Sequence, residues 1–460
     1  MKRREFIKTT GTAIAGTVIL PKISFAKPGD KNVIIIGAGI SGLAAAYKLK
    51  QNGVNVNLIE ARNRIGGRIF THKFSDEDLP AGKAGLTCEL GAEWVGRSHE
   101  RLIQLCEDFG LELQNHQFET HLTLNGEHKK AGDWNFTAEW NKKYQSLLEH
   151  FNSLPDGSDE KKEFDKLDWW RYLVNNGISE TDLELKELLD STDFGETIRQ
   201  VSAYAGIAEY AESSEKNEMD FHIKGGNSQI INKLAEAVGN ENIVLKAKAE
   251  LVEQNNEGVI VYGSNGVKYE ADYLICTAPT FSLIKIKWEP VLPKDYLDAL
   301  NELQYSRIIK TSVLFSERFW KDVSLDMITD TLPHYFFHST KNQEGKKGIL
   351  TSYAVGDRAY ILSKMNEQKK ISEVCNALKP AFGDVQNFAE RSVHYYWGSD
   401  PFTQGAYAIY NKNQWLDVRE TLSKNHGRVY FAGEHLADWQ GFMEGAINSG
   451  EEAAEKILNS

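Results

Sequence analysis

Three glycines near the amino end of the chain, Gly37, Gly39 and Gly42, have the spacing G-x-G-x-x-G. They directly follow the apolar residues 32–36 and open a segment with helical spacing, so the pattern predicts a turn from a strand into a helix. Glycine at such a turn permits a tight bend and a close approach of backbone amides, and a helix amino terminus favours the negative charge of a pyrophosphate. The chemistry that this spacing supports is dinucleotide binding.

A carboxylate follows the next predicted strand. Glu60 comes directly after the predicted strand 54–59, about twenty residues beyond the glycines, where an acidic side chain can bind a ribose 2′-hydroxyl and repel a 2′-phosphate. With strand 32–36 and helix 41–51, this second strand completes a predicted βαβ unit. These residues alone leave two ligands open, FAD and NAD.

Residues 60–68 read EARNRIGGR. This segment resembles the extended flavin fingerprint of the flavin-containing amine oxidase family, which includes monoamine, polyamine and L-amino acid oxidases. The resemblance implies that FAD is the ligand and that Gly66, Gly67 and Arg68 face its pyrophosphate, because arginine binds phosphate oxygens through several donors at once.

Further stretches resemble the same family. Residues 89–94 resemble the strand beneath the isoalloxazine ring, and residues 224–228 resemble the turn that opens the second crossing of the dinucleotide domain. Residues 431–434 and 441–446 resemble the carboxyl-terminal flavin motif, in which Glu434 is expected to accept hydrogen bonds from ribitol hydroxyls. The resemblance assigns FAD binding to Gly37, Gly39, Ile40, Ser41, Gly42, Glu60, Ala61, Arg62, Gly66, Gly67, Arg68, Gly91, Ala92, Glu93, Trp94, Ala249, Gly433, Glu434, Gly441, Phe442, Met443 and Ala446.

The resemblance also supplies candidates for the reaction itself. Hydride transfer from an amine to flavin depends on positioning in a dry pocket more than on an acid and base pair. Tyr407 and Phe442 match two aromatic positions that flank the substrate, although many members carry tyrosine or tryptophan where this chain has Phe442. Phenylalanine keeps the π face that steers an amine and lacks the hydroxyl. Core packing is the structural alternative for both rings.

Three other positions complete this set. Lys310 matches a lysine that contacts flavin N5 through water and assists the reaction with oxygen; a lysine that points from a strand into solvent is the alternative. Trp397 is expected to pack beside the flavin ring, or to serve as a structural tryptophan. Ala406 stands where some members attach flavin through a cysteine, so we expect FAD to be bound without a covalent link.

The elements around these motifs predict an α/β fold for the FAD-binding part, which is Rossmann-like, and an α+β arrangement for the chain as a whole. The other parts are a mixed-sheet substrate-binding domain and a helical insertion. Alternating residues predict strands between 244 and 275, and an alanine-rich segment predicts a helix over 445–458 whose amino terminus is directed at the flavin. The predicted domains are residues 31–88 with 218–290 and 425–460 for FAD, residues 89–136 with 291–424 for the substrate, and the insertion 137–217, broken near 154–158.

The first 26 residues resemble a twin-arginine export signal, because Arg3 and Arg4 precede a weakly apolar stretch that ends in small residues. A periplasmic or otherwise exported protein is therefore expected. Removal of this segment takes away five basic residues and one acidic residue, so the net charge changes from −12 to −16 and nucleic-acid binding is disfavoured. No transmembrane segment is expected, since no run of about eighteen apolar residues occurs.

Cysteine usage and histidine placement indicate no metal site. Cys88, Cys106, Cys276 and Cys375 are scattered, so neither a disulfide framework nor a cluster of metal ligands is expected. The expected partners are a small amine, molecular oxygen and, as one option, a second copy of the chain.

The flavin residues do not distinguish amine, polyamine and L-amino acid oxidases. An amino-acid oxidase needs an arginine for the substrate carboxylate, and Arg97 reaches the site only if its loop folds inward, so we favour amines. A diamine would need a second anionic contact, for which Glu93, Asp438 and the acidic insertion are candidates. A dehydrogenase with another electron acceptor, an FAD-dependent desaturase and a non-catalytic flavoprotein are the remaining alternatives.

Overall fold

The computed structural model describes residues 22–23, 31–75, 85–214, 216–438 and 440–460. Its central feature is a five-stranded sheet in which all neighbouring strands are parallel. A parallel sheet is covered on both faces, which explains why these strands are nearly continuous apolar runs. The α/β fold class predicted from the sequence is confirmed. The strands in spatial order are Ile243–Leu245, Asn55–Glu60, Asn32–Ile36, Tyr273–Cys276 and Val429–Phe431.

Three helices pack beside this sheet. The helix Ile40–Gln51 contacts both Met443–Leu458 and Ser228–Val238. The strand predicted over 54–59 lies one residue later, so that Glu60 is its last residue. The carboxyl-terminal helix begins at Met443 and not at residue 445, because Phe442 has an extended backbone and forms the amino-terminal cap.

A second sheet contains the middle part of the region 244–275 that was predicted as alternating strands, whereas the two ends of that region belong to the parallel sheet. It combines antiparallel hairpins with a parallel strand at each edge. One edge is Lys22–Ile23, which falls within the predicted export signal; the rest of that prediction lies outside the described residues. The strands in order are Lys22–Ile23, Lys268–Ala271, Val259–Gly263, Ala249–Gln254 and Lys287–Glu289.

A seven-stranded mixed sheet carries Lys310. The strand Ile308–Phe315 is buried at every position and pairs with a strand on each side, so Lys310 is held far from bulk water. All neighbours are antiparallel except one pair. The strands in order are Ala389–Tyr396, Ile308–Phe315, Gly348–Val355, Tyr335–His338, Leu325–Thr329, Glu119–Leu124 and Glu127–Lys129.

Between residues 137 and 214 the described chain is helical. Ser, Thr or Asp side chains cap its α-helices at their amino ends, which satisfies amides that the helices themselves leave unpaired. One helix ends at Ser153 and the next begins at Asp159, so the break near residues 154–158 is present. The elements are Ala138–Ser153, Asp159–Glu163, Phe164–Lys166, Trp169–Asn175, Glu180–Phe194, Ile198–Gln200 and Ala203–Glu212.

The remaining elements connect these layers, and the domain boundaries stay a prediction. In the described ranges no helix is both long and apolar enough to cross a membrane. Short strand pairs are Thr71–Lys73 with Thr87–Glu89, Leu113–Asn115 with Phe221–Ile223, and Gln304–Tyr305 with Ala408–Ile409. The other helices are Glu100–Asp108, Asn240–Asn242, Thr280–Leu283, Lys294–Glu302, Gly356–Ser363, Glu367–Phe382, Gln386–Phe388, Trp397–Ser399, Asp417–Leu422 and Glu434–Leu436.

Candidate active site

A cavity of about 550 Å³ lies where the parallel sheet, the seven-stranded sheet and the helical segment meet. Every residue to which the sequence assigned FAD binding or chemistry lines this cavity, except Gly42. Residues that are far apart in the sequence therefore share one enclosed space. Their roles in binding and catalysis remain predictions, which the contacts below make more specific.

The glycine turn forms one end of the cavity. Gly37 has a φ of +104°, a conformation that glycine adopts without strain. Gly42 lies behind the wall, where a Cβ would come within 2.1 Å of the carbonyl oxygen of Gly37. Gly39 caps the helix without a side-chain hydrogen bond, and the buried hydroxyl of Ser41 has no hydrogen-bond partner among the described residues. This wall offers an uncapped helix terminus and a spare hydroxyl to an anion.

Glu60 is fixed at the end of its strand by backbone amides. One carboxylate oxygen accepts a 2.9 Å hydrogen bond from Ala38, and the other accepts a 2.8 Å bond from Arg62. Its side chain is buried and lines the cavity. A carboxylate held in this way can still accept hydroxyl donors with its other lone pairs.

Arg62 is anchored away from the glycine turn. Its guanidinium donates hydrogen bonds of 2.7 and 2.6 Å to Asp400 and lies over the ring of Phe402. The Tyr395 hydroxyl donates to the same carboxylate at 2.6 Å. Burial raises the pKa of Asp400, but the hydrogen bonds from Arg62 and Tyr395 outweigh burial and hold that pKa well below its usual range.

Arg68 and Glu434 join the two flavin motifs. Arg68 donates to Glu434 at 2.6 Å and to the carbonyl of Ala406 at 2.8 Å. The other oxygen of Glu434 accepts backbone amides from Ala408 at 3.0 Å and Gly441 at 2.9 Å. These contacts give Glu434 the role of joining the two motifs, whereas acceptance from ribitol hydroxyls remains a prediction.

Lys310 is only 3% exposed. Its ammonium donates to the carbonyl of Gly91 at 2.8 Å and to the carboxylate of Glu93 at 2.9 Å. Burial raises the pKa of Glu93, but the attraction of Lys310 and the hydrogen bond of His116 outweigh burial and bring the pKa to about 2. Lys310 therefore points into the cavity wall with a carboxylate partner, and the alternative of a solvent-facing lysine is excluded.

The predicted aromatic residues have different surroundings. The Tyr407 hydroxyl donates a 2.6 Å hydrogen bond to the backbone carbonyl of Asp193 and lies 3.0 Å from the hydroxyl of Tyr353. The ring of Phe442 meets the edge of His99 at a centroid distance of 5.0 Å. Both predicted rings belong to the cavity wall, so neither is a pure core residue.

Two tryptophans line the cavity as well. Trp397 is buried and donates a 2.8 Å hydrogen bond to the carbonyl of Leu90. The indole nitrogen of Trp94 is buried and has no hydrogen-bond partner within the described ranges. Trp94 is thus a spare donor on the wall beside Glu93.

Two carboxylates of the helical segment were not singled out from the sequence. Asp193 and Glu209 both line the cavity. Burial and repulsion from Asp190 raise the pKa of Asp193 to about 7, although a hydrogen bond from Tyr210 opposes the rise. Burial and repulsion from Asp193 raise the pKa of Glu209 to about 8. The acidic composition of this segment pointed to such a contact, but local sequence cannot say which acids face inward.

These surroundings fit FAD. The close approach of Gly39 and Gly67, the uncapped helix terminus and the unpartnered Ser41 hydroxyl suit a pyrophosphate, and Glu60 suits a ribose. The helix that begins at Met443 brings a second amino terminus without a side-chain cap to the cavity wall. Within the described ranges, no group of three or more His, Cys, Asp or Glu residues could hold a metal ion.

The sequence model of flavin-containing amine oxidoreductases matches residues 40–458. The chain belongs to this family. It is therefore an amine-acting oxidoreductase with a flavin cofactor. The sequence is 26% identical over 465 residues to flavin-containing amine oxidase B of Homo sapiens, covering 93% of this chain and 86% of that protein. It is 24% identical over 471 residues to amine oxidase A of Sus scrofa, covering 93% and 85%.

Solved structures share the fold of this amine oxidoreductase. Putrescine oxidase bound to putrescine superimposes with a TM-score of 0.83 at 22% identity, covering 96% of this chain and all of that one. Cyclohexylamine oxidase from Brevibacterium oxydans gives a TM-score of 0.82 at 22% identity, covering 94% and 99%. At this level of identity the likeness establishes the fold alone.

Proposed function

We propose that this amine oxidoreductase oxidises a primary or secondary amine with FAD and molecular oxygen. Bound FAD supplies a two-electron acceptor for the hydride of the amine carbon and passes both electrons to oxygen, which becomes hydrogen peroxide. The imine that remains is hydrolysed by water to an aldehyde. The other product is ammonia when the substrate is a primary amine and a smaller amine when it is a secondary amine. The residues of the chain position the amine, exclude water and supply a fixed positive charge.

The observation that carries this proposal is the pair of carboxylates, Asp193 and Glu209, in the same cavity as Lys310 and Tyr407. With pKa values of about 7 and 8 these carboxylates are partly protonated at neutral pH. A cationic amine beside them favours their ionised forms and is attracted by them, whereas a substrate carboxylate is repelled. Nearby cations do not offset this preference, since Lys186, which attracts Asp193, is paired with Asp190, and Lys310 is paired with Glu93. Tyr407 and Phe442 add ring faces that steer the amine.

An L-amino acid substrate is less well supported. Arg97, the arginine that would have to bind the substrate carboxylate, forms a 3.6 Å ion pair with Asp220 and has a side chain that is 68% exposed. It is also not among the residues of the cavity wall. A desaturase acting on an apolar substrate would gain nothing from the buried acids, and a non-catalytic flavoprotein would not need them.

A diamine is the second candidate, because two carboxylates lie in one cavity and a dication needs more than one anionic contact. Asp193 and Glu209 are better placed for this contact than the acids considered from the sequence. Glu93 is already bound to Lys310, and Asp438 is exposed and ion-paired with Arg419.

The remaining expectations belong to the same proposal. Ala406 lines the cavity and has no thiol, and the four cysteines are buried away from its wall, which supports non-covalent FAD. Arg3 and Arg4 support export through the twin-arginine pathway to the periplasm or beyond the cell. A homodimer remains an expectation.

The decisive experiment is anaerobic bleaching of the purified flavoprotein by monoamines, diamines, polyamines and L-amino acids. We expect amines to bleach the flavin and amino acids to leave it oxidised, with Asp193→Asn and Glu209→Gln weakening the response to diamines more than to monoamines. Bleaching by amino acids alone would refute the amine assignment. A folded protein that is colourless and takes up no flavin would refute the whole proposal.

A further inference from the structure

Lys310 is the first member of a buried chain of charged and polar groups behind the cavity wall. Its ammonium donates to Glu93, and the other oxygen of Glu93 lies 3.2 Å from Nε2 of His116. The His116 ring lies against the ring of His222 at 5.1 Å, and Nε2 of His222 lies 3.2 Å from Glu89. The two carboxylates and the lysine in this chain are all 4% exposed or less.

The contacts of His116 define its state. Burial lowers the pKa of His116 to about 4, although the hydrogen bond with Glu93 opposes this, so the ring is neutral at physiological pH. A neutral ring that meets a carboxylate through Nε2 must carry its proton there. Its Nδ1 atom then has only a lone pair, which agrees with the lack of any partner for this atom among the described residues.

We propose that Glu93 and His116 are positioning residues that keep the Lys310 ammonium charged and fixed at the cavity wall. This inference rests on the proposed function, in which Lys310 assists the reaction with oxygen. Neither residue needs to touch the substrate. Each acts through the lysine, Glu93 directly and His116 by holding the carboxylate.

The energetic argument concerns a buried cation. A lysine surrounded by apolar groups tends to lose its proton, because burial disfavours the charged form. The rings of Trp94, Phe337 and Tyr353 lie 5.4 to 5.8 Å from the ammonium and keep water away from it. The Glu93 carboxylate at 2.9 Å supplies the compensating charge. Without that charge, the ammonium would be buried without a counter-ion.

Geometry adds a second effect. Two of the three ammonium hydrogens are bound by Gly91 and Glu93, so the nitrogen is restrained and one hydrogen remains for a partner in the cavity. The bond between His116 and the second oxygen of Glu93 restricts rotation of the carboxylate. Loss of either residue should therefore change the charge or the position of the lysine without removing it.

The test uses flavin reduced with dithionite, so that it does not depend on which amine is the substrate. The rate of reoxidation by oxygen and the absorption spectrum of the oxidised flavin are measured from pH 6 to 10. The wild type should show only the changes that accompany titration of Asp193, Glu209 and His222, and it is the reference for every variant. In Glu93→Gln we expect both quantities to show one further transition, along which the rate falls about tenfold or more as the lysine loses its proton.

Variants at Lys310 identify the group that titrates. His222, Cys88 and Tyr353 are other titratable groups described near Lys310. Burial raises the pKa of Tyr353 well above its usual value, so its hydroxyl stays protonated. Burial raises the pKa of Cys88 to about 12, so the thiol stays protonated over this range. The double variant of Lys310→Met with Glu93→Gln should be slow and should lack the further transition, even though it retains His222. A further transition that persists in the double variant would overturn the proposal.

The matched control is Glu196→Gln. Glu196 is a buried carboxylate that does not line the cavity. It is paired with Arg307, which lies three residues before Lys310 in the chain. The substitution should lower stability and leave the pH profile as in the wild type. A wild-type profile with a wild-type rate in Glu93→Gln would refute the proposal.

If Glu93→Gln does not fold, His116→Phe replaces it, and an unchanged wild-type profile in that variant would equally refute the role. Because the reductant is dithionite, failure of amines to bleach the flavin would count against the proposed function and not against this inference.

Discussion

The hydroxyl of Tyr407 donates a 2.6 Å hydrogen bond to the backbone carbonyl of Asp193. This bond joins the predicted substrate-facing ring to the helix Glu180–Phe194, whose Asp193 side chain lines the same cavity. The position of the ring and the position of the acid therefore depend on each other. A change in the helical segment should alter both the steering of the amine and the charge that attracts it.

Phe442→Ala is expected to slow reduction of the flavin by an amine about 2- to 30-fold, because it removes a ring face worth ~0.5–2 kcal/mol to a cation. The flavin content should stay near normal, because the substitution removes only a side chain and leaves in place the backbone amides of the helix that begins at Met443. Anaerobic stopped-flow absorbance measures the rate, and the flavin-to-protein absorbance ratio measures the content. Phe442→Tyr is the control that keeps the ring. Loss of flavin from Phe442→Ala would instead make the residue a packing element.

Lys310→Met is expected to slow reoxidation by oxygen more than reduction by amine. It should also lower the free energy of unfolding by ~3–5 kcal/mol, because it leaves the Glu93 carboxylate buried without its cation. Adding Glu93→Gln to Lys310→Met should recover part of that loss, which denaturant unfolding can measure. An unchanged oxygen step would remove the catalytic role, and additive losses in the double variant would argue against the ion pair.

Asp193 and Glu209 predict an unusual pH dependence of stability. Their pKa values rise on folding from 3.8 and 4.5 to about 7 and 8, so between these limits the folded chain retains protons that the unfolded chain has released. Stability should therefore fall as pH rises through this window. Asp193→Asn and Glu209→Gln should stabilise the protein at pH 8 and much less at pH 5.

Urea unfolding at a fixed flavin concentration measures this effect, because ligand binding otherwise shifts the apparent stability. Glu184→Gln is the matched control: Glu184 is exposed on the same helix as Asp193. It should leave the pH dependence unchanged. Equal effects of Asp193→Asn at both pH values would show that this carboxylate is ionised throughout.

The residues that local patterns specify were found from the sequence, and those that depend on long-range packing were not. The glycine turn and Glu60 follow from one βαβ unit, and Lys310 follows from its match to a family position. Asp193 and Glu209 belong to a segment with many acids, where periodicity does not show which of them face a cavity formed with other parts of the chain. His116 gave no signal, because its partner Glu93 lies on a separate segment.

Gly39 and Gly42 allow flavin binding to be separated from folding. Gly39 has a φ of −76°, and a Cβ there would approach Gly67 no closer than 3.9 Å, so alanine fits the polypeptide. The added methyl would nevertheless stand on the cavity wall, where a pyrophosphate needs close backbone approach. Gly39→Ala should therefore weaken flavin binding while changing the stability of the flavin-free protein by less than about 0.5 kcal/mol.

Gly42→Ala should behave differently, although both substitutions add one methyl group. Alanine within a helix normally stabilises it by about 1 kcal/mol relative to glycine. Here the Cβ would lie 2.1 Å from the carbonyl oxygen of Gly37, so the turn must open and we expect a loss of about 1–3 kcal/mol. Flavin titration and thermal unfolding of the flavin-free proteins measure the two effects. If both variants lost stability equally, the weaker flavin binding of Gly39→Ala could be explained by a damaged fold. The methyl group on the cavity wall would then not be its cause.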